Sequence, residues 1–237
     1  MIRLHVTVEG QTEQSFVKKA LTTHLGEYGV YADARAVLTS KDKRAAKEYR
    51  GGLISYKKAK ADIETWLKED NHPECRFSTM FDLYALPADF PGYAEAKNCA
   101  DPYERVQFLE NALAKDIEDR RFIPYIQLHE FEALILADPR QLDWEYLEHD
   151  GPIRRLREMV GEQNPELIDD GPTTAPSKRI LQEIPEYDKA STSPTVAEKI
   201  GLPVLRDKCR HFSEWITCLE QLGDGLNQSN EGKRALR

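Results

Sequence analysis

Short strand-like runs alternate with amphipathic helical stretches through the first 138 residues, and this alternation constrains the chain more than any other feature. Strands that take turns with helices close a mostly parallel sheet whose faces the helices cover. Residues 2–8 (IRLHVTV) alternate and are rich in β-branched side chains, so they read as a strand that Glu9-Gly10 ends. Phe16, Val17, Ala20, Leu21 and Leu25 then recur at helical spacing over 12–25, with Gly26 placed to stop the helix. A second strand is expected near 30–38 and a helix over 55–69, where Ile63, Trp66 and Leu67 share a side. RFSTMFDLY (76–84) reads as a buried strand, 103–118 as a helix and FIPYIQL (122–128) as another strand, with Pro124 confined to its start. EFEALILAD follows as a short helix.

Beyond about residue 139 helices and proline-rich loops take over. One long helix is expected near 203–222, where Leu205, Cys209, Phe212, Ile216 and Leu219 form a stripe. The expected organisation is an α/β core over 1–138, a helical portion over 139–222 packed on it, and a flexible polar tail over 223–237.

The net charge is −8, which argues against a passive nucleic-acid coat, because phosphate neutralisation needs cations. The balance is uneven: residues 41–60 hold eight Lys/Arg against two Asp/Glu. A basic segment beside an acidic remainder suits an enzyme that grips phosphate in one place and holds metal in another; a solvated surface helix is the plainer reading. Cys75, Cys99, Cys209 and Cys218 form no CxxC pair, and no apolar run is long enough to span a bilayer, so a cytoplasmic protein with reduced thiols and no membrane contact is expected. There is no GxxxxGK[ST] loop and no GxSxG elbow, and Cys209-x-His211 lacks the second pair of a zinc site.

Ligands of parallel sheets bind beyond the carboxyl ends of the strands. Glu9, Asp82 and the pair His129-Glu130 fall at three such ends. Singly, each has an ordinary structural reading: a turn, a loop cap, a helix start. Together they offer the hard oxygen ligands that suit Mg²⁺ or Mn²⁺, with Glu132 close by. Lys178 and Arg179 lie in a proline-started helix that reads equally as a phosphate site built on its first amides and as an ordinary capped surface helix. Arg50, Lys57 and Lys58 flank Gly51-Gly52 and suit a nucleic-acid backbone, with Tyr49 or Tyr56 to stack on a base; a flexible basic loop is an equally good reading.

VEGQTEQSF (8–16) resembles the first TOPRIM motif, and MFDLYALPADFPG (80–92) stands in the place of the second. With GGLISY (51–56), PYIQLHEFEALILAD (124–138), NPELIDDGPTTAPSKRI (164–180) and CRHFSEW (209–215), the ordered set resembles the family called domain of unknown function 4276 over residues 2 to 222. The resemblance implies a TOPRIM-like fold, as in topoisomerases, primases and overcoming-lysogenization-defect nucleases. It implies Glu9 as general acid/base and Asp82 as first aspartate of a metal-binding Asp-x-Asp pair. Tyr84 stands where the second aspartate belongs, a departure that either leaves Glu13, Asp89, Glu130 or Glu132 to make up the ligands or marks weak or lost catalysis. His129 is expected to orient the site or to assist proton transfer. The expected function is a Mg²⁺- or Mn²⁺-dependent nuclease acting on DNA or RNA, an effector subunit of anti-phage defence governed by an ABC- or SMC-type ATPase. The alternative is a non-catalytic docking module on the same scaffold.

Overall fold

The computed structural model describes residues 1–42, 47–50, 52–168, 171 and 173–223, with the backbone alone over 38–42 and 47–50. The chain is an α/β protein. The first strand, β1 (Ile2–Val8), runs into α1 (Gln11–Phe16), which passes through a π-helical turn (Val17–Leu21) into α2 (Thr22–Glu27). Then come β2 (Val30–Ala36), β3 (Leu38–Asp42), β4 (Lys47–Arg50), α3 (Tyr56–Glu69) and β5 (Cys75–Asp82). The elements α4 (Tyr93–Ala96), α5 (Pro102–Ile117), β6 (Phe122–Ile123), β7 (Ile126–Gln127) and α6 (Glu132–Ile135) follow. Five helices end the described chain: α7 (Asp150–Val160), α8 (Pro176–Glu183), α9 (Lys189–Ile200), α10 (Leu202–Lys208) and α11 (Arg210–Gln221).

Five strands form one parallel sheet in the order β2-β1-β5-β6, with β7 also pairing β5. β3 and β4 form a separate antiparallel pair. The strand expected over 122–128 is two short strands, because Pro124 and Tyr125 leave the ladder; the Tyr125 amide donates instead to Thr79 Oγ1 at 2.9 Å.

Period-two alternation splits β5 between two cores, with Met80 on the β1 side and Cys75, Phe77 and Phe81 on the other. Ile2, Leu4, Val6 and Val8 face a cluster with Phe16, Leu21, Phe131, Phe212 and Ile216, so α1, α2 and the C-terminal helices cover that side. Cys75, Phe77 and Phe81 of β5 face the other cluster, with Ile63 and Trp66 of α3 and Val106, Leu109 and Leu113 of α5. All four cysteines are free. Among the described residues, no helix is long and apolar enough to cross a membrane.

The helix expected over 203–222 is broken at Cys209 into α10 and α11. Glu166 causes the break. Its buried carboxylate accepts from the His211 and Phe212 amides, each at 2.9 Å, and from Tyr103 Oη at 3.0 Å. It therefore caps α11 from another part of the chain. Glu166→Gln leaves one accepting oxygen and turns an amide N–H toward donors. It is expected to lower stability by about 2 kcal/mol, read as a fall in the urea midpoint. An unchanged midpoint would show that this cap does not hold α11.

Candidate functional site

Register brings the acidic residues together. Val8 pairs with Met80 across β1 and β5, so Glu9 and Asp82 leave the sheet side by side. The Asp82 amide donates to Glu9 Oε2 at 3.4 Å. Asp82 pairs with Gln127, the last residue of β7, which sets His129 and Glu130 just past the same edge. The Phe131 amide then donates to Asp82 Oδ1 at 3.0 Å, tying the start of α6 to the end of β5. One turn into α1, Glu13 Oε2 accepts from the Gly10 amide at 2.8 Å and fixes the turn beneath Glu9. Glu132 is fully buried, with Oε1 accepting from Ser193 Oγ at 2.8 Å.

Among the described residues, Lys189 is the cation that enters this cluster. Lys189 Nζ lies 2.7 Å from Glu132 Oε2, 3.4 Å from Asp82 Oδ2 and 3.6 Å from Glu130 Oε2. Burial opposes the Lys189 ammonium, but Asp82, Glu132 and Glu130 outweigh it and raise its pKa. Burial, with the charge of Glu13 beside it, pushes Glu9 up to about 7. Burial also raises Asp82, against the pull of Lys189 and with the repulsion of Glu9, Glu13 and Glu132. Glu13 and Glu132 are raised as well, burial again being the main cause. Carboxylates that resist ionisation unless a cation is near are a fit for a metal. The donors are all hard carboxylate oxygens, which favours Mg²⁺ or Mn²⁺ over a softer ion, and the lysine ammonium already stands where positive charge is held.

A pH dependence follows from the raised carboxylates. A carboxyl whose folded pKa is above its unfolded value contributes stability that is fully present below about 4.5 and lost as pH rises through the folded value, about 7 for Glu9. Without divalent metal, the melting temperature should therefore fall between pH 5 and pH 8, and fall less in Glu9→Gln. Added Mn²⁺ should raise it more at pH 8 than at pH 5, because binding releases protons. A flat profile in the metal-free chain would overturn this.

Not every sequence candidate enters the cluster. His129 is buried with φ of 58°, and its carbonyl accepts from the Tyr84 amide at 2.8 Å. At the start of α8, the Ser177 amide donates to Glu130 Oε1 at 2.5 Å, so a carboxylate of the cluster takes the position expected for a phosphate. Arg179 Nε donates to the Thr174 carbonyl at 2.6 Å, whereas Lys178 is exposed. Lys57 and Lys58 are exposed in the first turn of α3. The side chains of Tyr49 and Arg50 lie outside the described residues, as does Gly51. Tyr56 is not available to stack on a base, because it is buried with its hydroxyl on Asp116. Asp89 does not join the carboxylates; it accepts from Ser55 Oγ and the Tyr56 amide, each at 3.0 Å, and so caps α3. At the opposite edge of the sheet, His5, Asp70 and Cys75 also cluster, but Arg3 already donates to Cys75 Sγ at 3.1 Å and to Asp70 Oδ1 at 2.8 Å.

Sequence reading overlooked Lys189. One local signal marks it: a lysine directly after the Asp188 cap sits at the positive end of the α9 dipole, where cations are disfavoured.

Comparison with known proteins gives three findings. The family model described as Domain of unknown function (DUF4276) matches residues 8–220. No curated protein gives a significant match. Among solved structures, the C-terminal region of the Burkholderia pseudomallei OLD protein is similar with a TM-score of 0.43 and 16% identity, over 94% of this chain and 97% of that one. The C-terminal region of the Xanthomonas campestris pv. campestris OLD protein gives 0.42 and 15%, over 92% of this chain and 97% of that one.

Proposed function

This chain belongs to the family described as domain of unknown function 4276, and from that premise we propose that it is a Mg²⁺- or Mn²⁺-dependent nuclease with a TOPRIM-like centre, hydrolysing phosphodiester bonds in DNA or RNA. The observation that carries the reading is the meeting of Glu9, Glu13, Asp82, Glu130 and Glu132 with Lys189 at the carboxyl edge of the sheet. Ordinary folding does not gather buried carboxylates in this way, since each is disfavoured unless it binds a cation.

Asp82, Glu130 and Glu132 are the residues that would hold the ion, and the two glutamates make up for the aspartate that Tyr84 replaces. A bound Mg²⁺ or Mn²⁺ supplies Lewis acidity toward phosphate oxygens and acidifies water. Glu9, with a pKa of about 7, is matched to taking a proton from the attacking water near neutral pH. Lys189 is placed to exchange a carboxylate for a phosphate oxygen and offset the charge that builds up there. His129, buried next to Glu130 in the chain, would orient the site or assist proton transfer. From the family resemblance we carry forward an ABC- or SMC-type ATPase as the controlling partner and anti-phage defence as the setting.

Tyr84 favours a second reading, a docking module that has lost catalysis along with the second aspartate. Purified chain incubated with labelled single- and double-stranded DNA and with bulk tRNA separates the two. Cleavage in Mn²⁺ or Mg²⁺ that EDTA stops supports the nuclease. Absence of both cleavage and any metal-dependent thermal shift supports the docking module.

A further inference from the structure

Two exposed apolar side chains flank the carboxylate cluster, and both hang from Glu9. Gly52 N donates to the Glu9 carbonyl at 2.9 Å, and Ile54, two residues on, is 69% exposed. Asp82 N donates to the Glu9 carboxylate, and Tyr84, two residues on, is 50% exposed. The Tyr84 amide is held by the His129 carbonyl at 2.8 Å, one residue before Glu130. Its backbone is thus fixed from both sides while its ring stays in water. Two residues of chain reach at most roughly 7 Å, so the backbones of Ile54 and Tyr84 lie within that reach of the residues bonded to Glu9. Lys57 and Lys58 are exposed in the first turn of α3, three and four residues beyond Ile54.

We propose that Tyr84 and Ile54 form a rim that receives an unpaired nucleobase beside the carboxylate centre, so that the chain prefers single-stranded nucleic acid or a frayed end. The proposal rests on the nuclease reading and adds the substrate class. An aromatic face with cations close by is the chemistry that holds single strands, because every base offers a π-face and every linkage a phosphate. A closed duplex hides its base faces in the stack and gains nothing from such a rim. By the resemblance to the second TOPRIM motif, Tyr84 stands where an aspartate would be expected; it supplies a flat apolar surface in place of a ligand oxygen. A ring anchored through its own backbone loses little freedom when a base settles on it, which favours stacking.

The test is fluorescence titration of the full chain with a single-stranded oligonucleotide carrying one 2-aminopurine, in Ca²⁺ to arrest cleavage, beside a duplex of the same sequence. Wild type should quench the probe on binding. Tyr84→Ala should abolish the quench and weaken single-strand binding roughly 5- to 150-fold, with duplex binding little changed. Tyr84→Phe should keep the quench, and Ile54→Ser should weaken binding less than Tyr84→Ala. Tyr84 and Ile54 are exposed, so the variants should keep the wild-type melting temperature. Equal quenching and affinity in Tyr84→Ala and wild type would overturn the rim while leaving Mn²⁺-dependent cleavage to stand. Quenching lost in Tyr84→Ala, with no cleavage by wild type in Mn²⁺ or Mg²⁺, would keep the rim and overturn hydrolysis. No binding of either oligonucleotide by wild type would overturn both.

Discussion

Asp82→Asn should abolish metal-dependent cleavage and at the same time leave the metal-free chain as stable as wild type or more so. The two effects have one cause. The carboxylate is buried at the end of β5, and burial together with Glu9, Glu13 and Glu132 raises its pKa despite Lys189. Its negative charge is therefore a strain in the absence of metal. An asparagine carbonyl can still accept from the Phe131 amide at the position of Oδ1, so the joint between β5 and α6 survives. Lys189 keeps Glu130 and Glu132 as partners. Removing the charge should thus change stability by no more than about 1 kcal/mol, with the sign favouring the variant at pH 8. Catalysis has no such reserve. A metal loses one of its hard ligands, and several kcal/mol of transition-state stabilisation correspond to a rate loss on the order of 10³-fold or more. Single-turnover cleavage in Mn²⁺ and thermal melting in EDTA read the two effects separately. A variant that cleaves at the wild-type rate would remove Asp82 from the centre. A variant that neither cleaves nor folds would show only that Asp82 is structural.

Much of the sheet was legible because each strand carries its own signal. IRLHVTV alternates, RFSTMFDLY sets Phe77, Met80 and Phe81 beside small β-compatible residues, and an acidic residue stands at or near the end of each. Parallel pairing then sends Glu9 and Asp82 to one edge without any further information. Glu130 and Glu132 were legible for the same reason, as the first acids after the β7 segment. What the sequence hides are partners that meet through tertiary packing. Glu166 ends the helix of 203–222 early by taking amides 45 and 46 residues away, although the apolar stripe runs straight through the break. Glu130 turns to the start of α8 and takes the amide expected for a phosphate. Asp89, one of four acids that could have joined the site, caps α3 instead. None of these choices leaves a periodic trace. Lys189 does leave a faint one, since it breaks the local rule against cations at a helix start, and such breaks concentrate at functional sites.

Lys189→Met tests whether that lysine holds the cluster together, acts on substrate, or does both. The ammonium faces Asp82, Glu130 and Glu132, and Glu132 is wholly buried, with Ser193 Oγ and Tyr187 Oη as its other side-chain donors among the described residues. Breaking a buried ion pair from one side typically costs about 3–5 kcal/mol. The figure here should be lower, because the Lys189 side chain is 40% exposed and the carboxylates can take up protons instead of remaining charged. A loss on the order of 2–3 kcal/mol at pH 8 is expected, shrinking toward pH 5 as the carboxylates protonate. Mn²⁺ should restore most of that loss, since a divalent ion supplies the missing positive charge, and its stabilising effect should exceed that in wild type. Cleavage should not return with stability: if Lys189 offsets charge on the phosphate, the Mn²⁺-loaded variant should stay about 10²- to 10³-fold slow. Full recovery of both would assign Lys189 a purely structural part, as a counter-ion that metal replaces. Stability unaffected by the substitution at any pH would contradict the ion-pair geometry itself.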